Sequence, residues 1–214
     1  KNVSMVNALK LRLGYGITGQ QDIGGDYPYL ARYTFGQDNA RYQFGNTFVT
    51  TLRPEGYDRN LKWEETTTYS VGLDFGLLKD RISGSVEYYY RPTKDLLNTI
   101  DVPAGTNLTN RITTNVGNLV NKGVEASLNF KPLVTPTYSW NFGINATVNK
   151  NEITKLIAVD DPNFIGVETG GISGGVGNYI QINTVGYPRN TFYLAEQVYD
   201  SNGFPVDNLY VDRN

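Results

Sequence analysis

The 214-residue sequence predicts an all-β fold, with antiparallel strands forming part of a large transmembrane β-barrel that carries long extracellular loops. Three observations predict it. Stretches of about ten residues alternate between apolar and small or polar side chains, the period of a strand whose two faces meet different surroundings. The connections run long, short, long, short, as in outer-membrane barrels with short inner turns and long outer loops. Aromatic residues gather at the two ends of the apolar faces, with aliphatic residues between, as at the two headgroup levels of a bilayer.

The first expected strand covers residues 8–17, with Leu9, Leu11, Leu13, Tyr15 and Ile17 on one face and Lys10, Arg12, Gly14 and Gly16 on the other. A long loop follows over 18–63, rich in Gly, Asp, Gln and Tyr, with a weak hairpin pattern at 42–51. The strongest signal comes next, at 66–77 and 81–91. Tyr69, Val71, Leu73, Phe75 and Leu77 alternate with Ser70, Gly72, Asp74 and Gly76. Ile82, Val86, Tyr88 and Tyr90 alternate with Ser83, Ser85, Glu87 and Arg91. The polar turn Leu78-Lys79-Asp80-Arg81 joins them. A second long loop is expected over 92–119. The fourth strand is 122–131, with Val124, Ala126, Leu128 and Phe130 on its apolar face; the fifth is 137–149, with Tyr138, Trp140, Phe142, Ile144, Ala146 and Val148. Residues 150–214 read as a third loop region, with a glycine-rich loop at 166–177 and some strand character at 185–199.

No apolar-face position is charged and only Gly84 lacks an apolar side chain, whereas the opposite faces carry Lys10, Arg12, Asp74, Glu87, Arg91 and Glu125. With the short turns placed on the inner side, Tyr15, Tyr69, Tyr88 and Tyr90 fall at the outer rim, and Phe75, Phe130, Tyr138 and Trp140 at the inner rim. One sheet of a soluble sandwich alternates in the same way. The alternative is therefore a soluble β-rich glycan-binding or adhesion module, in which the apolar face would be buried against a second sheet.

Composition narrows the chemistry. The net charge of −2 carries no basic bias toward nucleic acid. There is no cysteine for a disulfide or thiolate and no histidine for a general base or metal ligand. Gly171-Ile172-Ser173-Gly174-Gly175 fits the G-x-S-x-G nucleophile pattern, but that chemistry needs a histidine and a strand-to-helix turn. The paired acids Glu64-Glu65 and Asp160-Asp161 are neighbours in sequence; on a strand they point to opposite faces and cannot flank one substrate. Asp212-Arg213-Asn214 has the spacing that opens an oxygen-ligand calcium loop, whose remaining ligands are not in the chain. Asn2-Val3-Ser4, Asn107-Leu108-Thr109 and Asn145-Ala146-Thr147 match the glycosylation sequon, the last inside a strand. The sequence therefore reads as no enzyme, with no catalytic, cofactor or metal residue and no cofactor.

At 60–97 the run NLKWEETTTYSVGLDFGLLKDRISGSVEYYYRPTKDLL resembles the late barrel strands of the SusC/RagA-type TonB-dependent outer-membrane transporters of Bacteroidetes. LKLRLGYGITGQQDI at 9–23, NVGNLVNKGVEASLNFKP at 115–132, WNFGINATVNKNEITKL at 140–156, VGYPRNTFY at 185–193 and YVDRN at 210–214 fit the same family in order. The resemblance implies a multi-pass place in the outer membrane. It implies uptake of oligosaccharides or peptides, driven by TonB with a SusD-like surface lipoprotein. It also implies that residues 1–214 are a barrel segment of a longer protein, with the plug domain outside this chain. Lys10, Arg12, Asp74, Glu87 and Glu125 would then line the lumen. Tyr27, Tyr29, Tyr33, Tyr42 and Tyr57, in the long loops, are candidates to stack on sugars or pack against the lipoprotein, although no residue is singled out as a substrate contact.

A membrane barrel sets a cost on charge at mid-depth. Leu73→Arg is expected to destabilise the folded barrel by about 2–4 kcal/mol, measured by denaturant titration of the full-length protein in lipid vesicles. No loss would favour the sandwich.

Overall fold

The computed structural model describes residues 5–21, 27–35, 41–157 and 161–211. Regular structure among them is entirely β. In chain order the strands are β1 (Val6–Gln20), β2 (Tyr33–Phe35), β3 (Arg41–Phe44), β4 (Thr47–Thr50), β5 (Leu52–Pro54), β6 (Glu64–Leu77), β7 (Ile82–Asp101), β8 (Arg111–Phe130), β9 (Phe142–Lys155), β10 (Val167–Ile172), β11 (Gly175–Asn183), β12 (Thr191–Phe192), β13 (Gln197–Tyr199) and β14 (Pro205–Tyr210). The long strands make one antiparallel sheet in the order β1-β6-β7-β8-β9. The short ones form small sheets of their own, β2 with β5, β3 with β4, β10-β11-β12 and β13 with β14.

Register converts the alternation into rows. Leu9, Phe75, Gly84, Leu128 and Ile144 lie side by side across the five strands. Two residues farther out come Leu11, Leu73, Val86, Ala126 and Ala146, then Leu13, Val71, Tyr88, Val124 and Val148, then Tyr15, Tyr69, Tyr90, Lys122 and Lys150. Below them Leu77, Ile82, Phe130 and Phe142 complete the face. Five rows two residues apart span about 26 Å along the strands, close to the apolar band of an outer-membrane barrel.

This face is bare. Leu13 is 77 % exposed and Val148 75 %. A sandwich would cover these side chains with a second sheet, so the exposed face argues for a surface that meets lipid. Its one gap is closed from the side: the Phe75 ring lies over Gly84, where a Cβ would come within 2.9 Å of Phe75 Cζ. On the opposite face the Tyr89 ring covers Gly123 in the same way, which leaves Tyr89 only 5 % exposed. The rings thus shield backbone that glycine leaves open.

The inner ends turn tightly. Leu78, Lys79 and Asp80 all take left-handed backbone conformations, with φ of 52°, 59° and 59°. The turn is tied to the start of β1, because Lys79 N–H donates to Asn7 Oδ1 at 2.7 Å and Leu78 N–H to Met5 O at 2.9 Å.

Several sequence boundaries are corrected. Residues 92–119, expected as a loop, mostly continue β7 and β8, leaving only 102–110 as the connection. Beyond Arg91 apolar side chains persist, among them Leu96, Leu97, Ile100, Ile112 and Val120, but the register shifts between Thr93 and Leu97 break the phase, so strict alternation disappears although pairing persists. Thr99 and Thr113, for example, join across the ladder, Oγ1 to Oγ1, at 3.0 Å. The strand expected at 81–91 starts at Ile82; that expected at 122–131 starts at Arg111 and ends at Phe130. The strands expected at 8–17 and 66–77 run over Val6–Gln20 and Glu64–Leu77. The strand expected at 137–149 begins at Phe142 and runs on to Lys155. Tyr138 and Trp140 instead belong to a tight turn, closed by Thr135 N–H to Tyr138 O at 2.8 Å and Trp140 N–H to Leu133 O at 2.9 Å. The loop region 18–63 holds β2 to β5, including the hairpin expected near 42–51, and 150–214 holds β10 to β14. The glycine-rich loop expected at 166–177 is the hairpin of β10 and β11, turning at Ser173-Gly174 with Gly174 at φ +81°.

Gly123 tests the ring-over-glycine packing. A Cβ there would meet Val148 O at 2.6 Å and Tyr89 Oη at 2.7 Å, while one at Gly16 would meet nothing within 4 Å. Gly123→Val should cost about 1–3 kcal/mol as overpacking, and Gly16→Ala less than about 0.5 kcal/mol. Heat-modifiable migration of the full-length protein on gels reads both.

Candidate functional site

Two places concentrate chemistry. The first is the polar face of the main sheet, where Arg12, Gly72, Glu87, Glu125 and Thr147 form one row. Arg12 Nε donates to both Asp74 oxygens, at 3.1 and 3.0 Å, and its Nη1 reaches Glu87 Oε2 at 2.6 Å. It crosses an intervening strand to do so, and Gly72 allows it: a Cβ at 72 would stand 2.9 Å from Arg12 Nη2. One guanidinium thus holds two carboxylates. Glu125 on β8 is the direct cross-strand partner of Glu87 on β7, and Lys10 lies opposite Asp74. The side chains of this ion pair are about one third exposed, at 39 % for Arg12, 36 % for Asp74 and 27 % for Glu87, so water screens it. Farther out, the Arg91 guanidinium sits 4.3 Å above the Tyr89 ring.

The second place is the outer rim. Residues 56–63 are fastened along the outer ends of β7 and β8. Asn107 pairs with the Tyr57 backbone, accepting its N–H at 3.3 Å and donating to its C=O at 2.9 Å. Thr114 Oγ1 donates to Asp58 Oδ2 at 2.5 Å. Asn115 Oδ1 accepts from Lys62 N–H at 2.9 Å, and its Nδ2 donates to Lys62 O at 2.8 Å and Asp95 O at 2.6 Å. Asp95, at φ 59° in the bulge between β7 and β8, also pairs with Lys62 Nζ at 2.6 Å. The strap carries an aromatic recess of about 500 Å³, lined by Tyr27, Pro28, Tyr29, Leu61, Lys62 and Trp63. A second recess of about 460 Å³ shares Tyr29 and adds Tyr57 and Arg59. Tyr27 and Tyr29 meet edge to face, with centroids 6.4 Å apart.

Of the rim tyrosines, Tyr27, Tyr29 and Tyr57 are therefore brought together. Tyr33 instead pairs with Pro54 in the β2–β5 ladder, and the Tyr42 ring packs on Phe44. Trp63 and Arg59 were not anticipated; an isolated tryptophan beside a tyrosine-rich segment was the available signal. Glu64 is structural, since its Oε1 accepts the Leu97 N–H at 2.9 Å. Asp161 Oδ1 takes the Asn163 N–H in a local turn. Asp160, Asp212-Arg213-Asn214 and Asn2-Val3-Ser4 lie outside the described residues. Ser173 stands in a hairpin turn, and no helix follows it among the described residues. Among the described residues no group of three or more histidine, cysteine or acidic side chains could hold a metal ion.

Comparison with known proteins gives concordant matches. A family model described as TonB dependent receptor-like, beta-barrel, matches residues 2–213. The chain is 49 % identical over 215 residues to the TonB-dependent receptor SusC of Bacteroides thetaiotaomicron, covering all of this chain and 21 % of that protein. It is 33 % identical over 214 residues to a TonB-dependent receptor of Formosa agariphila, covering 19 % of it. Among solved structures, the RagAB peptide transporter superposes with a TM-score of 0.70 at 25 % identity, over 94 % of this chain and 22 % of that one. The chain thus spans about a fifth of the length of the proteins it matches.

Within the rim, β2 and β5 are clasped by Glu55, whose Oε1 accepts from Thr34 Oγ1 at 2.7 Å and Arg53 Nη2 at 3.0 Å. The Thr34 hydroxyl, then Arg53, holds this carboxyl below its usual range. The clasp is therefore complete above the ordinary carboxylate pKa and is lost as pH falls through the depressed value. Amide exchange at Tyr33–Phe35, corrected for intrinsic rates, should accelerate in that acid window, and Glu55→Gln should remove the acid dependence.

Proposed function

The chain belongs to the TonB-dependent receptor β-barrel family, as a SusC/RagA-type segment of the barrel, and we propose that it supplies wall, lumen lining and outer rim to an outer-membrane nutrient transporter. The whole receptor imports oligosaccharides or peptides too large for porins. A SusD-like surface lipoprotein closes over the substrate, and TonB then opens the plug below it. The observation that carries this reading is the collinear 49 % identity with SusC along the whole chain. The bare apolar face supports it and weighs against the soluble module.

In this reading the polar rows of Lys10, Arg12, Asp74, Glu87 and Glu125 face the substrate path. The chain's part is binding and passage: no residue constellation among those described offers a nucleophile with a base. The rim recess favours oligosaccharide as cargo. Tyr27, Tyr29 and Trp63 present flat apolar faces with polar edges, which suit the C–H faces and hydroxyls of a sugar ring. The strap holds the backbone beside Trp63 in place before ligand arrives, which lowers the ordering cost left to binding.

Uptake is tested by complementing a receptor-deletion strain with the full-length protein and scoring growth on oligosaccharide or on peptide. For the rim, Trp63→Ala and Tyr29→Ala should each weaken oligosaccharide binding by the purified receptor–lipoprotein complex by about tenfold, about 1.4 kcal/mol, in calorimetry. Unchanged affinity in both variants would remove the recess from the substrate path.

A further inference from the structure

The topmost row of the apolar face breaks its own rule. Every row below it is uncharged, but Tyr15, Tyr69 and Tyr90 are continued by Lys122 and Lys150. The two lysines are direct cross-strand partners on β8 and β9, and both are exposed. Like charges facing each other across a ladder destabilise it, so the pair calls for an anion. Among the described residues, the carboxylate of Glu152 serves both. Glu152, two residues farther out on β9, takes Lys150 Nζ at 2.7 Å and also feels the charge of Lys122. One positive charge is left over.

The position of that surplus decides its partner. It stands directly above the rows that meet hydrocarbon, in line with a tyrosine girdle, which is headgroup depth in the outer leaflet. There a lysine lays its methylene stem along the apolar row and lifts its ammonium into the interface. The Tyr69 and Tyr90 rings, 6.4 Å apart, continue the row toward β6. Two ammonium groups and adjacent phenols are donors only or donors first, the complement of a phosphate. We propose that Lys122 and Lys150, flanked by Tyr90, form a binding site for the phosphate of an outer-leaflet lipid headgroup on the outside of the barrel. The site rests on the membrane reading, but not on any substrate.

The test uses the full-length receptor in detergent, titrated with dioleoyl phosphatidic acid and, in parallel, with dioleoylglycerol, which has the same chains and no phosphate; native mass spectrometry counts the lipids retained. The wild type is expected to hold phosphatidic acid at least fivefold better than dioleoylglycerol. Lys122→Gln with Lys150→Gln should abolish the difference, and Lys122→Arg with Lys150→Arg should keep it. Heat-modifiable migration checks that each variant is folded, and unchanged oligosaccharide binding separates this site from the rim. Equal retention of the two lipids by the wild type, or undiminished preference in the folded glutamine variant, overturns the proposal. A receptor recovered without detergent in the soluble fraction would instead overturn the membrane reading beneath it.

Discussion

A backbone that crosses hydrocarbon has no water to bond, so every N–H and C=O must find another strand. The rest of this structure follows from that constraint. β6, β7 and β8 have neighbours on both sides, whereas β1 and β9 have one each within the sheet. Near the outer end of β9 the need is met locally. Ile153 N–H donates to Tyr187 O at 2.9 Å and its C=O accepts from Gly186 N–H at 2.8 Å, so a returning segment takes the free edge. Below Ile153 that edge runs past the exposed rows, where only another barrel strand can serve it. The sheet is thus a sector of a closed wall by physical necessity, in agreement with the fraction of its relatives that it spans.

Within the sector, two solvents are kept apart by a single residue step. The rows Leu11 to Ala146 and Arg12 to Thr147 are adjacent in sequence on every strand but face opposite ways. A slip of one residue would turn Arg12, Asp74 and Glu87 toward lipid. The ion pair therefore contributes more to register than to stability. Screened by water as it is, it adds little to stability. But Arg12 reaches Glu87 only when Gly72 lies between them, so the right alignment of three strands is the one in which all three residues agree.

What the sequence could reveal follows the same boundary. Where the two faces differ, as from Leu9 to Tyr15 or from Tyr69 to Leu77, alternation places each strand and assigns each face. Where a bulge breaks the phase, as between Thr93 and Leu97, the signal vanishes, and so the outer halves of β7 and β8 read as loop. Tyr138 and Trp140 mislead for the opposite reason: a tight turn with an apolar surface at the inner rim copies the strand period for two steps. The rim recess is the least legible part. Tyr27 and Tyr29 are separated from Trp63 by more than thirty residues of sequence, and no periodicity joins them. The lysine pair was hidden differently, since Lys122 and Lys150 become neighbours only through the register of β8 with β9.

The extension of β7 and β8 also explains how a loop region can hold a defined recess. Segments this rich in Gly, Asn and Tyr cannot bury enough apolar surface to order themselves. Here the ladder does the ordering. Asn107, Thr114 and Asn115 project from the β7–β8 hairpin at fixed spacing, and each takes backbone or side-chain groups of the 57–62 segment. Asn115 spans the strap and the bulge together, bonding Lys62 O and Asp95 O from one amide. Gly56 makes the close approach feasible, because a Cβ there would lie 2.7 Å from Thr109 Oγ1 and 2.9 Å from Ile112 Cγ2. Tyr57 and Trp63 therefore sit on or beside backbone that is itself pinned to the barrel wall. A wall that continues beyond the bilayer is thus the means by which the barrel shapes its own mouth.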